Sequence, residues 1–97
     1  MYILGDIGNS ETKVYLVNSK NRIIRNINFP SKQINNKILN QKFKYLIRDF
    51  KSIEKILFCS VVPKSFNLIK RFLSKKLSKK CFEVKDLKLK SLINIKV

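Results

Sequence analysis

Ninety-seven residues allow one domain at most, with a core that is feasible but small. Lys and Arg number 22 against 6 Asp and Glu, a net charge of +16, and His and Trp are absent. A catalytic Cys–His pair is therefore excluded, and a zinc site would have only two thiols and scattered carboxylates to draw on. No run approaches the roughly 20 apolar residues of a membrane span. Asp6 interrupts the first apolar run and no basic segment precedes it, so no secretory signal is expected either. The default is a cytoplasmic protein whose two cysteines stay reduced, Cys59 being expected in a buried strand.

The chain opens with Tyr2-Ile3-Leu4-Gly5-Asp6-Ile7-Gly8, a run that reads as a buried strand. Gly8-Asn9-Ser10-Glu11 reads as a turn in which Gly and Asn tolerate positive φ. Thr12–Val17, rich in β-branched and aromatic residues, reads as the partner strand. A second turn at Asn18–Asn21 leads to a third strand over Arg22–Phe29, whose Ile23, Ile24, Ile27 and Phe29 alternate imperfectly. Three strands joined by tight turns make a meander. Pro30 through Lys37 is polar and reads as a loop.

Ile38, Leu39, Phe43, Leu46, Ile47 and Phe50 recur at helical spacing, which predicts an amphipathic helix over Lys37–Lys51. Lys55–Ser60 is a short apolar run that reads as a buried strand parallel to the first. Pro63 suits the first turn of a helix whose apolar face is Phe66, Leu68, Ile69, Phe72, Leu73 and Leu77. Lys75-Lys76 and Lys79-Lys80 close that helix, where cations complement the carbonyl end. Cys81–Val84 is a candidate strand, and Leu92, Ile93, Ile95 and Val97 belong to a final extended run. The order is βββαβα, then extended, with neither repeat nor linker. It matches the opening of a ribonuclease-H-like, or actin-like ATPase, half-domain with a mixed sheet, although order alone does not assign function.

The +16 charge admits a nucleic-acid partner. Composition offers another cause. The chain has no Ala and only two Gly and two Pro, yet is crowded with Lys, Asn, Ile and Phe, the pattern of an A/T-rich coding sequence. Such drift places lysine on every solvated face without selection for a polyanion. No Arg-rich tract or zinc finger accompanies the lysines. Nucleic acid is accordingly disfavoured as the partner.

The chemistry-bearing segment is the first turn. Asp6 ends a buried strand, Gly8 admits backbone N–H groups to close approach, and Asn9, Ser10 and Thr12 carry small polar side chains. A carboxylate there can hold a hydrated magnesium ion beside phosphates. Lys13 can supply positive charge as a phosphoryl group moves. Short Asp-x-Gly segments are common, and on the pentapeptide alone a plain hairpin turn, with Asp6 or Asn9 capping its own backbone, is the favoured reading.

Asp6-Ile7-Gly8-Asn9-Ser10-Glu11-Thr12 resembles the Asp-[Ile/Val]-Gly-Asn-Thr-x-Thr signature that opens type III pantothenate kinases, members of the acetate kinase and actin superfamily. Cys59-Ser60-Val61-Val62-Pro63 is similar to that family's Ser-Ser-Val-Val-Pro. Lys90-Ser91-Leu92-Ile93-Asn94-Ile95-Lys96-Val97 is similar to its Lys-Thr-Gly-Leu-x-Ile-x-Tyr. The segments occur in the right order and span essentially the whole chain. Ser10 replaces the usual threonine, Cys59 a serine, and Leu92 a common glycine.

The resemblance implies in-line transfer of the ATP γ-phosphoryl group to the primary hydroxyl of pantothenate, the first step of coenzyme A synthesis. It implies an ATP-phosphate loop made by Asp6, Ile7, Gly8, Asn9, Ser10, Glu11, Thr12 and Lys13, with Asp6 positioning Mg²⁺ through water. Ser60 is a weaker candidate, since capping the following helix accounts for it equally. The family's general base is the aspartate of a Gly-Ala-Asp-Arg motif that lies beyond Val97. None of Asp6, Glu11, Asp49, Glu54, Glu83 or Asp86 sits in a matching context. The second phosphate loop, a K⁺ or NH₄⁺ site and much of a homodimer interface are likewise implied outside this chain. Residues 1–97 are thus expected to form a single amino-terminal subdomain, truncated relative to the family. A catalytically incomplete fragment or degenerate paralogue, a small basic nucleic-acid-binding protein, and another kinase of the superfamily remain open alternatives.

Overall fold

The computed structural model describes residues 1–48 and 53–84. They build one five-stranded sheet with two helices. β1 (Tyr2–Ile7), β2 (Glu11–Val17) and β3 (Ile23–Pro30) form the meander; α1 (Asn36–Ile47), β4 (Lys55–Ser60), α2 (Pro63–Leu77) and β5 (Cys81–Glu83) follow. The strand order is β3-β2-β1-β4-β5. β1 pairs antiparallel with β2 and parallel with β4, and β5 adds a second parallel pairing. The expected βββαβα order and mixed sheet are the ones observed. The extended run over Leu92–Val97 lies outside the described residues.

Both helices pack on one face. Ile3, Ile7, Val14, Leu16, Ile27, Phe29, Ile56 and Phe58 meet Leu39, Phe43 and Leu46 of α1 and Phe66, Ile69 and Leu73 of α2 in a single core. Each such side chain, fully buried, contributes about 1.5–3 kcal/mol. Leu4 and Val17 sit in a second, smaller cluster with Tyr2, Tyr15, Ile23, Leu57 and Val84 on the opposite face. Strand alternation thus carries Asp6, two residues after Leu4, to the face without α1 and α2. Cys59, in register with Asp6, shares that placement, which is why it is half-buried rather than sealed in the core. Cys81 is the buried cysteine, and its burial pushes the thiol up to about 12 against the opposing pull of Lys70.

Gly5 is set directly under an aromatic ring. It pairs with Phe58 across the β1–β4 ladder, and Phe58 is fully buried, tilted against Phe66 at a centroid distance of 6.4 Å. The imperfect alternation of β3 has a local cause. The register shifts between Leu16 and Val17, which pair with Arg25 and Ile23, so Ile24 is skipped as a bulge and is exposed.

The second turn is held by Asn18, whose Oδ1 accepts from the amides of Lys20 and Arg22, with Asn21 at φ 61°. The stretch read as a loop after Pro30 contains a 3-10 turn, Ser31–Gln33, before Asn35 caps α1 by accepting from the Ile38 amide at 2.9 Å. α1 is anchored to the edge strand by Arg25, which donates to the Tyr45 carbonyl at 3.0 Å and lies over its ring. α2 begins with Pro63 in its first turn, carries Lys75 and Lys76 in its last, and is stopped by Ser78 at φ 53°.

Candidate functional site

Parallel pairing of β1 with β4 brings two carboxyl ends to one edge of the sheet, and the turn Gly8-Asn9-Ser10 rises there. Its backbone is closed by the Gly8 amide, which donates to the Glu11 carbonyl at 3.0 Å. The expectation of positive φ at Gly8 or Asn9 is not met, since only Asn21 and Ser78 have positive φ among the described residues. Space is tight there instead: a Cβ on Gly8 would come within 3.2 Å of the same Glu11 carbonyl oxygen, which would have to give by a few tenths of an ångström.

The turn's carbonyls are tied down from three sides. The Ile7 carbonyl accepts from the Val61 amide at 3.0 Å, and the Ser10 carbonyl from the Ser31 amide at 3.0 Å. The Ser31 hydroxyl donates to the Gly8 carbonyl at 2.6 Å. That fixes the direction of the 2.9 Å contact between Ser31 Oγ and Thr12 Oγ1. Ser31 has one hydroxyl proton, already committed to Gly8, so Thr12 is the donor. With the Ile7, Gly8 and Ser10 carbonyls engaged, the turn leaves the amides of Asn9 and Ser10 without a hydrogen-bond partner among the described residues. Adjacent unpaired N–H groups in a turn make a concavity suited to an anion.

The candidate residues thus divide. Asn9, Ser10, Glu11 and Lys13 are exposed, and Gly8 is half-buried at the turn. Asp6 is half-buried, opposite Lys13 on β2 and Cys59 on β4. Its carboxylate makes no hydrogen bond or ion pair among the described residues, so neither Asp6 nor Asn9 serves as a cap of its own backbone. Ile7 is buried in the core and contributes its carbonyl to the turn's anchorage. Thr12 is fully buried, facing the helices, and its hydroxyl holds Ser31. Ser60 closes the entry to α2: its Oγ accepts from the Val62 amide and donates to the Val62 carbonyl, both at 3.0 Å.

Ser31 is the functional-site residue that sequence reading passes over. It sits in an otherwise polar stretch, and nothing local marks it as buried; its partners Thr12 and Gly8 are distant in sequence. Ser31→Ala would leave the Gly8 carbonyl and the Thr12 hydroxyl unpaired in a buried setting. A loss of about 1–3 kcal/mol of stability is expected, read as a shift in the urea midpoint at unchanged slope.

Two comparisons bear on this turn and the sheet beneath it. A family model described as Type III pantothenate kinase matches residues 2–97. A curated type III pantothenate kinase from Pelagibacter ubique (strain HTCC1062) is 54% identical over 97 residues, which is all of this chain and 39% of that relative. The chain therefore spans about two-fifths of the length of the curated relative it matches. With the family matched from the first strand to the last residue, this chain belongs to the type III pantothenate kinase family.

Proposed function

We propose that this chain supplies the ATP-phosphate half of an enzyme that phosphorylates pantothenate to 4'-phosphopantothenate, opening coenzyme A synthesis. The observation that carries the reading is the β1–β2 turn, whose Ile7, Gly8 and Ser10 carbonyls are engaged and whose Asn9 and Ser10 amides are, among the described residues, unpaired beside a half-buried carboxylate that has no partner there either. Asn9 and Ser10 donate backbone, and with their side chains further, hydrogen bonds to phosphate oxygens. Gly8 keeps the approach free of a Cβ, and Lys13 adds charge at the same edge. Ile7, Glu11 and Thr12 act through the backbone and the buried clamp that shape the turn.

Magnesium carried with ATP supplies charge neutralisation on the phosphates. The donor set fits that role: one carboxylate, Asp6, at a strand end suits an ion that keeps most of its waters and the substrate's oxygens. Among the described residues no group of three or more Cys, Asp or Glu converges to hold a metal by protein ligands alone. Membership of the family supports, as further parts of the same proposal, residues 1–97 as one amino-terminal subdomain, homodimerisation of the full-length protein and a cytoplasmic location. No helix among the described residues is long and apolar enough to cross a membrane.

The test is turnover. The chain alone and the chain extended to the relatives' full length are compared for ATP-dependent phosphorylation of pantothenate, with other acceptor alcohols as controls. Product from the extended form with pantothenate supports the proposal. Transfer to another acceptor, or no transfer at all, rejects it.

A further inference from the structure

The peptide planes of the β1–β2 turn are not held alike. The Ile7–Gly8 peptide is fixed at both ends: its carbonyl accepts from the Val61 amide and its N–H donates to the Glu11 carbonyl, each at 3.0 Å. The Ser10–Glu11 peptide is fixed by its carbonyl, which accepts from the Ser31 amide at 3.0 Å. Among the described residues the Gly8–Asn9 peptide has a single hold, and it is a side chain. The Ser31 hydroxyl donates to the Gly8 carbonyl at 2.6 Å, while the Asn9 N–H at the other end makes no hydrogen bond there.

That one bond sets a direction. A trans peptide is flat, so its C=O and N–H point opposite ways. With the Gly8 carbonyl drawn toward Ser31, the Asn9 N–H has to face away from Ser31. Gly8 makes the hold necessary. Without a Cβ its dihedrals are the freest in the turn, and rotating the Gly8–Asn9 plane is the movement that costs least there. A rotated plane would present a carbonyl oxygen where the N–H now stands, and that oxygen repels an anion.

The Ser31 hydroxyl is itself directed. Ser31 is 7% exposed, and its oxygen accepts from Thr12 Oγ1 at 2.9 Å, which leaves its only proton for Gly8. Thr12 is fully buried on β2, and Ser31 follows Pro30, the last residue of β3, so two paired strands fix the ends of this relay.

We propose that Ser31 is a positioning residue for nucleotide binding: through the relay Thr12–Ser31–Gly8 it keeps the Asn9 amide turned toward the phosphates of ATP. The inference rests on the assignment of that amide to the phosphates made above. Ser31 touches no substrate, and Thr12 acts through Ser31.

Titration of the chain extended to its relatives' length with MgATP, followed at the Asn9 amide by NMR and in parallel by turnover of pantothenate, tests it. In the unaltered protein the Asn9 signal is expected to move saturably. Ser31→Ala is expected to raise the KM for ATP, and the Kd read at the amide, by about tenfold or more, with the KM for pantothenate unchanged. Ser31→Thr, which keeps the hydroxyl, should recover most of the ATP affinity. Thr12→Val, which removes the first donor at nearly constant shape, should weaken ATP by a smaller factor. A purely structural role would lower the thermal midpoint and leave the KM for ATP where it was. That result, or wild-type ATP affinity in both Ser31→Ala and Thr12→Val, would overturn the proposal while leaving the turn assigned to the phosphates. An Asn9 amide that ignores MgATP in the unaltered protein would instead remove that assignment, and this inference with it.

Discussion

Gly5→Ala is expected to cost the protein about 3 kcal/mol, the upper end of overpacking penalties, out of a total stability of about 5–15 kcal/mol. A Cβ on Gly5 would overlap three atoms of the Phe58 ring, Cε2, Cδ2 and Cζ, the furthest of them at 2.7 Å. The ring cannot step aside cheaply. It is fully buried, tilted against Phe66, and carried by a strand that is itself hydrogen-bonded to the strand holding Gly5. Close-packed interiors transmit such an insertion rather than absorb it. Urea denaturation of the variant should show a much lower midpoint, and adding Phe58→Leu in the same chain should restore part of the loss. Full additivity of the two substitutions, or a Gly5→Ala midpoint equal to that of the unaltered protein, would show that the ring does not fill the space over Gly5.

The second large effect falls on activity instead of stability. In the chain extended to the length of its relatives, Asp6→Asn is expected to reduce phosphoryl transfer to pantothenate on the order of a hundredfold or more, the size associated with removing one preorganised electrostatic group. Stability should change by less than about 0.5 kcal/mol, because the carboxylate forms no hydrogen bond or ion pair among the described residues and asparagine has the same shape. Measured side by side, kcat/KM and the thermal midpoint separate the two roles. A lowered midpoint with intact turnover would make Asp6 a structural residue, and unchanged values of both would remove it from the site.

The elements most legible in the sequence were those whose physics is local. Tyr2–Ile7 and Lys55–Ser60 are apolar runs of strand length, and Pro63 with the Phe66, Ile69 and Leu73 spacing marks α2 wherever it occurs. The parallel placement of Lys55–Ser60 was read from the run itself, and the family motifs then tipped the first turn from a plain hairpin toward phosphate chemistry. What sequence could not show was long-range. Ile23-Ile24 looks like broken alternation until the β2–β3 register reveals a bulge. Gly8 looks like a conformational glycine until the Glu11 carbonyl is found beside it. Thr12 looks like a phosphate donor by its motif position, but β2 turns it toward the helices, where it holds Ser31. Cys59 looks like a core residue until strand alternation puts it beside Asp6 on the other face. At Thr12 and Cys59 a partner many residues away decides the role, and composition or periodicity within a window cannot carry that information.

The arrangement of β1 between β2 and β4 also dictates an order of events during synthesis. β2 and β3 follow β1 through short turns, so the meander can pair as soon as it emerges, at the low loop-closure cost of neighbouring segments. β4 reaches β1 only after α1 has been made, and it brings both the Phe58 ring that covers Gly5 and the Val61 amide that holds the Ile7 carbonyl. A nascent chain shorter than this carries the whole Asp6-Ile7-Gly8-Asn9-Ser10 segment but lacks one of its three anchors. The ribosome thus releases the signature well before it releases the architecture that gives the signature its shape. A stall between β3 and β4 would expose one edge and the apolar face of β1 to whatever is nearby.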